Sequence, residues 1–201
     1  MKVEAEYFLP YLKNNICELE LKCIPLWHPL GFVSCIIHEV SNLFTVRIHY
    51  WPENVRRVKN PDWPIHTHSY FLSSHILNGE LTDIQYEQYE AEEYSIFSVN
   101  YYKGGSEIHL TNKKTGVKET IHTRRLGGES YSVSKGVFHQ TNVEIDKTAL
   151  TLVALSEFSE EPPLVLGNSV AQNSYPYDRV IFEPEIFWRE VKIGLNLKYS
   201  L

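Results

Sequence analysis

The chain has 201 residues, of which 43% are hydrophobic and 22% charged, and its formal net charge at pH 7 is −6. That length and apolar content suit one domain with a core that needs no disulfide or metal staples, and the acidic balance excludes a general nucleic-acid binder. Three cysteines (Cys17, Cys23 and Cys35) with no CxxC spacing exclude an oxidised framework or a zinc knuckle, so a reducing, cytoplasmic setting is expected.

The opening MKVEAEYFLPYLKNN lacks the apolar core of a signal peptide, and no run of about 18 apolar residues follows, so no membrane span is expected. Residues up to about 20 read as a short helix or an irregular lead-in. From GFVSCIIHEV onward, short segments rich in Val, Ile, Phe and Tyr dominate. NLFTVRIHYW is the clearest strand: Phe44, Val46, Ile48 and Tyr50 share one face, and Thr45, Arg47, His49 and Trp51 the other. Further strands are predicted in HILNGELTDIQYEQYE, YSIFSVNYY, SEIHLTNK, VKETIHTRRL, ESYSVS, VFHQTNVE and ALTLVALSEF. Turns are predicted at Asn78-Gly79, Gly104-Gly105, Lys114-Thr115-Gly116, Gly127-Gly128 and Lys135-Gly136. The arginine pairs Arg56-Arg57 and Arg124-Arg125 read as solvated loops or strand ends. Strands at this spacing indicate an all-β sandwich or barrel. In EPEIFWREVKIGL, Pro184 opens a helix that carries Ile186, Phe187, Val191 and Leu195 at helical intervals. The expected organisation is a single domain over 1–201, with a barrel at about 30–158 and an extension at about 159–201 that ends in this helix.

Chemistry concentrates in DWPIHTHSYFLSSHILNGEL. On a strand, side chains at i and i+2 project from the same face, so His66 and His68 can reach one ion at about 2.1 Å. A third ligand must come from elsewhere, and the best candidate is His139, which follows the tight turn at Gly136 among apolar neighbours in GGESYSVSKGVFHQTNV. His75 falls on the opposite face of a regular strand and is expected in a hydrogen-bonded structural role or in one behind the ligands, unless a β-bulge turns it inward.

These two stretches resemble the paired signature motifs of the cupins, small β-barrels that hold a metal inside. His66, His68 and Gly79 match the first motif, and Gly128, Gly136 and His139 the second; Ser134 stands in the proline position, and Asn142 falls one position early. Leu72 occupies the slot in which cupins carry a fourth, glutamate ligand. The resemblance implies a cupin-type double-stranded β-helix, a jelly-roll barrel, with one divalent metal ion on His66, His68 and His139. Three histidines without a glutamate look most like the thiol dioxygenase branch that includes cysteine dioxygenase. Leu72 and Ser73 stand where some of those enzymes place a cysteine that cross-links to a tyrosine, so that cross-link cannot form.

The resemblance therefore implies Fe(II) as the metal, with zinc, nickel or manganese as alternatives. The implied function is a non-haem iron dioxygenase using O2 on a small thiol or carboxylate substrate. If the barrel interior follows the family, Arg47, His49 and Trp51 face the substrate, Arg47 as a planar guanidinium suited to a carboxylate. The alternative is that this face is the wet side of an outer sheet. Tyr70, in phase with His68, is read as a pocket wall or a proton donor; Tyr101 and Tyr131 have the same generic claim, and His109 and His122 are expected on exposed strands. Two other readings stand beside the oxygenase: a metal-dependent isomerase, lyase or hydrolytic enzyme, and a non-enzymatic binder of a small ligand. A homodimer through exposed strands is the family's prior.

Overall fold

The structure is a computed structural model in which residues 1–168 and 170–197 are described. The lead-in is helical: a 3-10 turn at Ala5–Phe8 runs into α1 (Leu9–Lys22). Pro10 sits in the first turn of α1, where its missing N–H has no partner to lose. Leu12, Ile16 and Leu19, spaced four and three apart, form the buried stripe.

The strands follow in chain order: β1 (Leu26–Trp27), β2 (Leu30–Gly31), β3 (Val33–Val40), β4 (Phe44–Trp51) and β5 (Arg57–Val58). Next come β6 (Phe71–Tyr102), β7 (Gly105–Leu126), β8 (Ser130–Val133), β9 (Phe138–Asn142) and β10 (Ala149–Ser156). The chain closes with β11 (Leu164–Gly167), β12 (Ser174–Asp178) and α2 (Pro184–Gly194). All named pairings are antiparallel.

β6 crosses from one sheet to the other, and this crossing makes the barrel. Its first part, to Gly79, lies between β10 and β8 in a sheet continued by β4, β3 and β1. Its remainder pairs with β7 on one side and with β9 and β11 on the other, and β12 adds to the far edge of β7. The passage occurs at Gly79, where φ is +81° and an added Cβ would meet the Thr148 carbonyl oxygen at 2.1 Å. Only glycine tolerates both conditions. The molecule is thus an all-β barrel of jelly-roll type with a helical lead-in and a C-terminal helix.

Two turns expected at Gly104 and Gly128 are present, each with positive φ (+92° and +91°). The expected turn at Lys114-Thr115-Gly116 is instead an irregularity inside the continuous β7, opposite the register shift between Tyr89 and Tyr94. A Cβ at Gly116 would lie 2.4 Å from the Tyr89 ring, so this glycine serves a close cross-strand approach rather than a reversal. β11 and β12 lie in the stretch read as extension, and both join the second sheet.

The apolar face of β4 is covered by the terminal helices. Val46, Ile48 and Tyr50 pack in one cluster with Leu12, Ile16 and Leu19 of α1 and with Phe187, Trp188 and Val191 of α2. The lead-in is also tied to the sheet: Ser73 Oγ accepts from the Ala5 N–H at 3.0 Å and donates to Glu4 at 2.6 Å. With that face sealed, the Arg47–His49–Trp51 face of β4 is left to the interior.

Candidate metal centre and its cavities

The HTH stretch lies on an extended segment between β5 and β6 and not within a strand. It is nevertheless held as firmly as one. His66 exchanges backbone hydrogen bonds with His139 (3.0 and 2.9 Å), while the Thr67 N–H donates to Leu164 at 2.8 Å and the Leu166 N–H to Ile65 at 2.9 Å. Bridged on both sides, the segment keeps its alternation: Thr67 is buried, with its hydroxyl accepting from the Leu164 N–H, while His66 and His68 leave from the other face.

Three rings converge. His68 Nε2 lies 3.1 Å from His66 Nε2 and 3.5 Å from His139 Nε2, and one ligand atom from each residue falls within 4.8 Å of the others. Imidazole nitrogens at about 2.1 Å from a shared ion stand roughly 3.0–3.4 Å apart, so these separations fit one ion. Protonation agrees. His66 Nδ1 donates to the Pro64 carbonyl at 2.8 Å, which leaves the Nε2 lone pair facing its partners. Burial holds His68 and His139 well below the usual imidazole range, reinforced by neighbouring histidines, and lowers His66 as well. Three neutral imidazoles converging in this way could hold one divalent metal ion. Leu72 is buried in the wall of the same cavity, so no carboxylate completes the set from that position.

His66 and His68 line two cavities at once. One, with about 60 Å³ open to the centres of water-sized molecules, is bounded by His139, His49, Trp51, Leu72 and Tyr131. The other, about 80 Å³, is bounded by Tyr70, Trp63, Tyr101, His28, Lys59 and Arg179. At roughly 10–15 Å³ per water, each has room for several.

The residues expected beside the metal take different places. His49 and Trp51 line the first cavity and pack on Phe32 at ring separations of 4.6 and 4.9 Å. His49 Nε2 is buried without a partner, and burial, with Arg47 and Arg179 adding to it, lowers this residue to about 3. Arg47 shares their face of β4; its Nε is buried and unpartnered. Tyr70 stacks on His68 (4.7 Å, 15° between planes), and burial pushes its phenol up to about 12. His75 lies apart: it is one residue beyond Ser74, which faces the cavity, and its Nδ1 meets Ser130 Oγ at 2.8 Å with Glu6 at 4.0 Å. The expected role behind the ligands is corrected accordingly, because the strand is regular there and turns His75 outward. His109 and His122 pair with Glu107 and Glu119 at 3.1 and 2.9 Å.

Sequence reasoning missed His28, Lys59 and Arg179. Each comes from a segment outside both motifs, before β2, after β5 and after β12, and carries no spacing that links it to the histidines. Only closure of the barrel brings them together.

No family model matches this sequence, and no curated protein matches it. Among solved structures it is similar to the polyketide cyclase RemF from Streptomyces resistomycificus, at 12% identity over 75% of this chain and 83% of that one, with a TM-score of 0.44. An RmlC-like cupin from Shewanella frigidimarina matches at 11% identity over 68% and 86%, TM-score 0.38. The DMSP lyase DddQ from Ruegeria pomeroyi matches at 15% identity and TM-score 0.39; 66% of this chain is covered, but it spans only 50% of the lyase. At such identities and scores these are distant likenesses, and the metal-centre reading rests on the histidine geometry alone. No helix among the described residues is long and apolar enough to cross a membrane.

Proposed function

We propose that the chain is a mononuclear metal-dependent enzyme of the cupin type that holds Fe(II) on His66, His68 and His139 and oxidises a small thiol or carboxylate with O2. The observation that supports it is the convergence of three neutral Nε2 atoms, 3.1 and 3.5 Å apart about His68, on a boundary shared by two cavities. When bound, iron with only three protein ligands supplies open positions for a substrate donor group and for O2.

The surrounding residues have definable tasks. Pro64 fixes the His66 tautomer through Nδ1. Tyr70, its phenol raised to about 12, keeps its proton at neutral pH and so serves as a hydrogen-bond donor beside His68. Phe32 and Trp51 wall the first cavity against water. His49 favours a second reading. A buried neutral imidazole with an unpartnered Nε2 in the same cavity can hydrogen-bond and orient a substrate group, which an isomerase, lyase or hydrolytic enzyme on zinc, nickel or manganese would also use.

Elemental analysis of the purified protein beside His139→Ala tests both. Near-stoichiometric iron in the parent, little in the variant, and O2 consumption with small thiols or acids support the oxygenase. Zinc, nickel or manganese with turnover under nitrogen supports the second reading. Metal content equally low in both proteins would sink the metal centre itself.

A further inference from the structure

We propose that the larger cavity is the binding site for a small molecule with an apolar body and an oxyanion head, a carboxylate or a phosphate, held by Arg179 and Lys59. This deepens the reading above and rests on it for where the ligand's other end leads, past Tyr70 to His66 and His68.

The charges carry the inference. The protein is acidic overall, yet this concave wall presents an arginine and a lysine and no carboxylate. Arg179 is more than half withdrawn from solvent, and it forms no ion pair within 4.0 Å among the described residues. Burial and, after it, the charge of Arg47 on β4 both disfavour the Arg179 cation, and the buried Nε of Arg47 has no acceptor. Lys59 donates to the Tyr175 carbonyl, a neutral partner, and Glu107, the one acid that acts on it, is neither within ion-pair range among the described residues nor part of the cavity wall. Folding does not normally gather half-buried cations without counter-charges, because each loses hydration that nothing restores. An arrangement of this kind stores affinity for an anion.

The remaining surface defines the body. Trp63, Val99, Ile108 and Val165 supply apolar lining to the same cavity, and Tyr101 contributes a phenol, a further donor toward an anion. A mostly apolar pocket with a few convergent polar groups is the usual form of a small-molecule site.

Calorimetric titration of the chelator-treated protein with benzoate, benzamide and inorganic phosphate tests this independently of any metal. Benzoate or phosphate binding, weakened about tenfold or more in Arg179→Gln and in Lys59→Gln, is the expected result. Benzoate alone would identify a carboxylate head, phosphate alone a phosphate. The proposal is overturned if neither anion binds the parent. It is overturned equally if benzamide binds as well as benzoate, or if both variants retain parental affinity. His139→Ala, which removes a candidate ligand that does not line this cavity, should keep the anion affinity while losing metal, so failure here and failure of the metal centre are read separately. Should one variant not fold, as judged by circular dichroism, the other still decides.

Discussion

At the residue scale the centre is a set of imidazoles that cannot afford a proton. His139 is 3% exposed and shares backbone hydrogen bonds with His66, so its ring is placed by the sheet and not by an ion. Replacement by alanine should therefore remove a ligand without unfolding the barrel: bound metal, read by elemental analysis, falls at least about tenfold while the far-ultraviolet spectrum is retained. His75→Ala should leave metal content near parental, because its partners are Ser130 and Glu6 on the outer face. pH dependence follows from His49, lowered by burial and two arginines from 6.5 to about 3. The unfolded chain takes up this proton near pH 6.5 and the folded chain only near 3. The stability that goes with neutral His49 is thus complete above about 6.5 and lost as pH falls toward 3. Urea midpoints of the chelator-treated protein should fall between pH 7 and 5, and less steeply in His49→Phe.

Elements hold these residues in register, and their weak points are backbone ones. Gly79→Ala places a methyl group against the Thr148 carbonyl and the Ala149 Cα (2.1 and 2.9 Å) at φ +81°, just where β6 changes sheets. A loss of at least about 2 kcal/mol is expected from chemical denaturation. The helices matter through burial. Phe187 is fully buried between α2 and the outer face of β4, so Phe187→Ala should cost about 3–5 kcal/mol. Much at this scale was legible in the sequence. The alternation in NLFTVRIHYW separated two faces of the strand, and Gly104 and Gly128 marked turns, whereas the turn expected at Asn78-Gly79 is instead the point where the unbroken β6 changes sheets. Gly116 was misread, since a glycine that admits a tyrosine ring looks locally like one that makes a turn. The HTH segment was read as a strand because its alternation is strand-like, although it makes only isolated bridges.

For the whole molecule, the terminal helices and the outer side of the first sheet share one apolar cluster that includes none of the three histidines. Removing metal with a chelator should leave circular dichroism unchanged and alter only the local environment of the histidines. The cationic cavity predicts a trade of stability for binding. Arg179→Gln, relieved of repulsion from Arg47, should melt roughly 2 °C above the parent without ligand, and the order should reverse when a bound anion is present.

The sequence by itself determined the all-β architecture, the division of β4 into two faces, and three histidines able to meet. These are consequences of period-two patterning, glycine conformation and short-range spacing, all written locally. Tertiary structure alone decided that His66, His68 and His139 share one point, that β11 and β12 complete the second sheet, and that His28, Lys59 and Arg179 border the same interior. Those juxtapositions join residues up to 151 positions apart, from His28 to Arg179. No local pattern encodes them, because they arise from the closure of two sheets and the sealing of their outer face by the chain's two ends.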